Sequence, residues 1–171
     1  MIKKLKDFTP QIHEHTFIAE NAAVIGDVHI GEGSSIWYGS VLRGDVAPIR
    51  IGKKTNIQDL CVLHTDHDLR LEVGDSVTIG HSCIIHGTRI LGNSIIGMGS
   101  ILLNGSVIER NTILGAGSLV TEGKVVKEGE LWMGRPAKFV RNLTPEEIEK
   151  IKDSAEHYYQ NGLTHKGDKN D

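Results

Sequence analysis

Residues 73–120 read VGDSVTIGHSCIIHGTRILGNSIIGMGSILLNGSVIERNTILGAGSLV. An aliphatic residue stands at Val73, Ile79 and Ile85 and, after one five-residue step, at Ile90, Ile96, Leu102, Ile108, Leu114 and Val120. Upstream the same six-residue spacing runs through Ile18, Val24, Ile30, Ile36 and Leu42, then resumes at Ile51, Ile57 and Leu63. Glycine often follows the aliphatic, as in Ile30-Gly31, Val73-Gly74 and Leu114-Gly115, and short side chains often stand two places before it. A sustained period of six predicts an all-β parallel β-helix with three faces to a coil. Each coil is too thin to enclose a core, so stability must come from stacking.

Working outward, the repeat is interrupted by extra residues at 43–50 and 64–72. Loops that leave a rigid repeat scaffold tend to gather on one side and carry function. The pattern divides the chain into an extended N-terminal segment at 1–11, where Pro10 blocks a helix, and the β-helix domain at 12–121. A connecting segment at 122–143 contains a turn at Gly134-Arg135-Pro136. Thr144-Pro145-Glu146-Glu147 then supplies a cap, a first-position proline and first-turn acids, predicting a C-terminal α-helix at 144–161. Ile148, Ile151, Lys152 and Ala155 give it one apolar-leaning stripe, and Asn161-Gly162 is read as its stop. A helix this short is marginal alone, so it should dock. Residues 162–171 are polar and charged and are expected to form a disordered tail.

The net charge is -3, which gives no broad positive field for nucleic acid. No apolar run reaches the length of a membrane span, so a cytoplasmic chain with no nucleic-acid and no membrane partner is expected. Cys61 and Cys83 are too few for a secreted disulfide scaffold. Each stands two places before a stacked aliphatic, Leu63 and Ile85, and is expected to point inward as packing.

Three histidines acquire geometry from the repeat. His64 and His86 each follow an aliphatic of the same corner, so they should stack one coil apart, at about one inter-strand spacing of ~4.8 Å. His81 follows Gly80 at a different corner and is turned away from the pair within one chain. In a three-fold assembly, however, one copy's 64/86 face can meet its neighbour's 81 corner. Three imidazoles with one open position is the arrangement of a catalytic zinc ion, and such an ion lowers the pKa of its water to about 7.

Further segments carry a resemblance. Leu42-Arg43-Gly44-Asp45, Thr55-Asn56-Ile57-Gln58-Asp59, Val62-Leu63-His64, Ile79-Gly80-His81, Ile85-His86-Gly87 and Gly134-Arg135-Pro136-Ala137-Lys138 resemble the γ-class carbonic anhydrase family. The resemblance covers nearly all of the chain. It implies a left-handed β-helix, a homotrimer, and reversible hydration of carbon dioxide to bicarbonate. It further implies His64, His81 and His86 as metal ligands, His81 coming from the adjacent subunit, with one Zn2+ per subunit interface; Fe2+ and Co2+ suit imidazole equally. Gln58 is similar to the family glutamine that holds the oxygen species, with Asn56 supporting it. Arg43, Asp45 and Asp59 resemble interface charges, with Arg43 expected to pair with a neighbour's Asp59. Tyr158 resembles a tyrosine that reaches the site from the C-terminal helix, its neighbour Tyr159 being the alternative. One departure concerns the proton: the residue after Asp45 is Val46, where sequences with a proton shuttle have glutamate. Histidine is the side chain suited to carrying protons near neutral pH, so His67 could substitute as shuttle. Two other readings remain: a hexapeptide acyltransferase using coenzyme A, which needs one histidine as base rather than three, and a catalytically weak metal-binding scaffold trimer.

Overall fold

A computed structural model describes residues 1–167 and folds as a parallel β-helix closed by one C-terminal helix. The six-residue period becomes three inward ladders. Val24, Leu42, Leu63, Ile85, Leu102 and Val120 stack in register along one corner. Ile30, Ile51, Val73, Ile90, Ile108 and Val126 form the second. Ile18, Ile36, Ile57, Ile79, Ile96, Leu114 and Trp132 form the third. Neighbouring coils cover each inward side chain, so Leu63, Ile79, Ile85 and Ile90 are fully buried. Each such burial contributes roughly 1.5–3 kcal/mol, and the sum along three ladders holds the thin coils together.

The short residues two places before the aliphatics have a second task. Buried Ser34, Ser40 and Thr55 donate to the carbonyls of Gly52, Gln58 and Gly74 on the next coil, at 2.6–2.7 Å. Cys61 and Cys83 occupy equivalent places and point their thiols at Gly80 O (3.1 Å) and Gly97 O (3.3 Å). Both are free thiols and fully buried, as expected of packing residues. The Cys61 thiol is pushed up by its hydrogen bond with Cys83 and by burial.

Both insertions lie between the first and second corners, in adjacent coils. The first is absorbed by the long strand Val41–Ile51, which runs round the corner beside Ala23–Ile30. The second forms a small loop closed by an Asp66–Leu69 bridge. The stacking also continues past the expected end at 121. Val126 and Trp132 add one more place to two ladders, and Glu130–Gly134 pairs with Ala137–Asn142 as an antiparallel hairpin that turns at Arg135-Pro136. The connecting segment is therefore part of the solenoid and its cap.

Helix α1 spans Pro145–Lys166. Its expected stop at Asn161-Gly162 is wrong, because Gly162 is buried against Phe17 and Ser35, where a small residue permits close approach. The next turn is held by His165, whose ring packs on Trp37 at 4.9 Å and meets the Tyr38 hydroxyl at 3.0 Å. Gly167 then ends the helix in the left-handed conformation at φ 78°. Residues 162–166 of the expected disordered tail are thus helical, and 168–171 lie outside the described residues. Among the described residues no helix is long and apolar enough to cross a membrane.

Thr144 and Glu147 form a reciprocal capping box, and Glu147 also takes a two-pronged contact from Arg141 at 2.7 and 2.8 Å. Arg141 first, then the Thr144 amide, hold the Glu147 carboxyl down from 4.5 to about 2. A carboxyl depressed on folding adds stability that is complete above its unfolded value and lost as pH falls through the folded one. The cap should therefore weaken as pH falls from 4.5 towards about 2. In Glu147→Gln, thermal unfolding followed by circular dichroism should lose this part of the acid dependence and start from a lower melting point at neutral pH.

Candidate functional site

The sequence-predicted residues fall into two groups on one chain. The first stands beside the two insertions. Strands Val62–His64 and Ile84–His86 are in register, which sets His64 directly beside His86. Their ring centroids are 5.1 Å apart, and His64 Nδ1 faces His86 Nε2 at 3.0 Å. Each ring is held from outside by its other nitrogen. His64 Nε2 meets Asp45 Oδ1 at 3.0 Å, and His86 Nδ1 meets the Asn104 amide oxygen at 2.6 Å. Asp45 also pairs with Arg43. Burial pushes the Asp45 carboxyl up, but hydrogen bonds from Arg43 and His64 outweigh it and leave the group below its ordinary value.

An ionised carboxylate only accepts, so His64 Nε2 carries the proton and donates. His86 Nδ1 likewise donates to an amide oxygen. In neutral imidazoles the two facing nitrogens are then both bare lone pairs, which repel unless a cation lies between them. Tetrahedral coordination at 2.0–2.1 Å sets neighbouring ligand nitrogens about 3.3 Å apart. The observed 3.0 Å is close to that separation, so this donor pair fits a metal ion.

The second group lies at the third corner, under helix α1. Asn56 and Thr78 are paired across adjacent strands. Gln58 Nε2 donates to Asn56 Oδ1 at 3.1 Å, Asn56 Nδ2 donates to Thr78 Oγ1 at 2.9 Å, and Thr78 meets Ser154 of the helix at 3.1 Å. Gln58 is buried, and its amide is anchored through its nitrogen. Two residues past the ladder pair Ile57 and Ile79, Asp59 Oδ2 meets His81 Nδ1 at 2.8 Å. Tyr158 is half-buried beside Trp37, with ring centroids 5.5 Å apart. Burial and then the Asp59 charge push its hydroxyl up, so it remains a donor at neutral pH. Tyr159 lies elsewhere, under the Lys54 ammonium at 4.8 Å from its ring, so Tyr158 is the tyrosine of this group.

Within one chain the described residues contain no cluster of three or more metal-ligating side chains, and His81 stands apart from the histidine pair. Nor does Arg43 meet Asp59 within the chain: Arg43 is engaged by Asp45, and Asp59 by His81 and the Tyr38 amide. His67 is exposed in the second insertion, and Val46 is exposed in the first. Two residues of the first group, Asn104 and Asp66, were missed by sequence reasoning. Asn104 donates to Asp66 at 3.3 Å, so the loop is tied to the imidazole pair. The available signal was Gly87, next to His86. At φ +53° it avoids side-chain strain, and a Cβ there would come within 2.5 Å of the Asn104 amide oxygen.

Between the two groups runs an apolar face. Val62 and Ile84 point outward two residues before the histidines and are 42% and 45% exposed; Leu60, beside Asp59, is 65% exposed. Val41, Ile101 and Leu119 extend the strip in register.

Residues 9–44 match the family model described as bacterial transferase hexapeptide (six repeats). A carbonic anhydrase of Geobacillus kaustophilus is 46% identical over 97% of this chain and 91% of its own length. The mitochondrial gamma carbonic anhydrase 2 of Arabidopsis thaliana is 45% identical over 89% of this chain, which spans 57% of that protein's length. A solved hexapeptide transferase family protein from Anaplasma phagocytophilum superimposes with a TM-score of 0.92 at 49% identity, covering 95% of this chain and 96% of its own. Identity of this order across almost the full length of a carbonic anhydrase, on a hexapeptide β-helix, makes the chain a member of the γ-class carbonic anhydrase family.

Proposed function

We propose that this chain catalyses the reversible hydration of carbon dioxide to bicarbonate at a divalent metal centre. The centre would be formed by His64 and His86 of one copy and His81 of the next, in a closed three-fold assembly. The observation that carries the reading is the 3.0 Å approach of His64 Nδ1 to His86 Nε2, with the other nitrogen of each ring engaged by Asp45 or Asn104. Family membership and the exposed apolar face between the two groups support it. A closed ring would cover that face and bring the 64/86 edge of each copy to the 81 corner of the next.

When bound, zinc, iron(II) or cobalt(II) would supply Lewis acidity and a water acidified to near neutral pH. The chain's own residues do the rest. Asp45 and Asn104 aim the imidazoles, as outer partners of metal-binding histidines do. Among the described residues the Gln58 Oε1 atom accepts no hydrogen bond, so it is free to orient a water or bicarbonate hydroxyl. Tyr158 holds its proton and can donate to a substrate oxygen. Proton export falls to the second insertion, where His67 is exposed, since Val46 has no titratable group.

Stopped-flow hydration of carbon dioxide by metal-loaded protein tests the function, with His81→Ala as the control. Equal inactivity of the two would remove the hydratase reading and leave a metal-binding scaffold. The acyltransferase alternative rests on the fold it shares with such enzymes, and acetyl-coenzyme A binding without any metal dependence would favour it. His67→Ala should lower kcat in dilute buffer by up to about a hundredfold, the low end of the general acid–base range. It should leave metal content unchanged, and concentrated imidazole buffer should restore the rate. No buffer-dependent loss would exclude His67 as shuttle.

A further inference from the structure

Resting on that reading, we infer that Asp66 and Asn104 form a positioning relay that fixes which nitrogen of His86 carries the proton, and with it the bare nitrogen that His86 turns towards His64. An asparagine amide can present either its oxygen or its nitrogen to a neighbour, so Asn104 alone would not decide which His86 nitrogen carries the proton. Asp66 decides it. Its Oδ1 accepts the His67 backbone N–H at 2.8 Å, and its Oδ2 lies 3.3 Å from the Asn104 amide nitrogen. A carboxylate accepts and does not donate, so the Asn104 nitrogen must face Asp66 and its oxygen must face His86. The proton therefore sits on His86 Nδ1, 2.6 Å from that oxygen, and Nε2 is left bare towards His64.

Without the relay, His86 can move its proton to Nε2. There it would donate to His64 Nδ1 across the existing 3.0 Å, closing the gap with an internal hydrogen bond. A metal ion would then have to displace that bond and its proton. Gly87 belongs to the same device, because a side chain on it would push the Asn104 oxygen away from His86. The relay also explains why a loop residue three places before Leu69 matters to a ring one coil further on: the Asp66–Leu69 bridge holds the carboxylate in place.

The test compares wild type, Asn104→Leu, and the double exchange Asp66→Asn with Asn104→Asp. The exchange preserves the polarity of the chain, since the loop amide can donate to the new carboxylate and that carboxylate can accept from His86. Nitrogen-15 spectra of the metal-free proteins report the imidazole proton. Wild type and the exchange should carry it on His86 Nδ1, whereas Asn104→Leu should shift it towards Nε2. Cobalt(II) affinity, read by chelator competition and visible absorption, should fall about 10–100-fold in Asn104→Leu, as for loss of other outer partners. It should return in the exchange. An unchanged tautomer and affinity in Asn104→Leu would overturn the inference, as would an exchange no better than Asn104→Leu. If wild type bound no more cobalt(II) than His86→Ala, the metal reading would fail instead, while the metal-free spectra would still decide where the proton sits.

Discussion

A one-to-one mixture of His64→Ala and His81→Ala chains, dissociated and reassembled together, should regain metal binding and carbon dioxide hydration that neither variant has alone. Each proposed centre takes its 64/86 edge from one copy and its 81 corner from the next. Both are intact only where a His81→Ala chain supplies the first and a His64→Ala chain the second, which random assembly gives at about a quarter of the interfaces of a closed ring. Stoichiometric cobalt(II) binding before and after mixing measures this directly. The expected effect is large because the comparison runs from none to about a quarter of wild type. The arrangement on one chain motivates it: His64 and His86 are 3.0 Å apart, whereas His81 is hydrogen-bonded to Asp59 at another corner. A centre built within a single chain would give a mixture no better than its parents.

The first ladder shows why so much was legible. An aliphatic every six residues sets Leu63 on Ile85, and alternation along the strand then turns His64 and His86 outward together. The same periodicity placed His81 at a separate corner, provided that 64–72 counted as one face; the Leu63-to-Val73 progression of the ladders has that form. The end of the solenoid was less legible. Val126 and Trp132 keep the six-residue step, but the surrounding stretch from Thr121 to Leu131 is rich in charge and hides it. The helix stop was misread because Asn161-Gly162 has the local chemistry of a terminus. Its continuation depends on tertiary contacts of His165 with Trp37 and Tyr38, far away in sequence.

The relay was hidden for a related reason. Asn104 belongs to the coil after His86, and the five-residue step from Ile85 to Ile90 shifts the register that would have announced their contact. Asp66 reaches Asn104 across 38 residues through an insertion whose shape the repeat does not fix. Periodicity predicts which strands are neighbours. It does not predict which loop side chain turns back over them.

Placing two like charges on the apolar face should separate assembly from folding. Val62 and Ile84 are in register on adjacent strands, exposed in one chain, and lie between the two groups of site residues. In Val62→Asp with Ile84→Asp, the two carboxylates would sit about one strand spacing, ~4.8 Å, apart. In a free chain water solvates them, and the inward Leu63 and Ile85 are untouched, so circular dichroism should keep its β-helix form. In an assembly both charges would be stripped of water, which disfavours association strongly unless each is paired. The variant should therefore run as a monomer in light scattering. Its cobalt(II) affinity should drop by more than the roughly 10–100-fold expected for loss of an outer partner, because a direct ligand is removed. Val140→Asp, at an exposed position on the closing hairpin, should change neither property. A double variant that stayed assembled would show that this face is not the seam. One that became monomeric yet held metal as tightly as wild type would instead refute a centre shared between copies, leaving His64 and His86 to bind without His81.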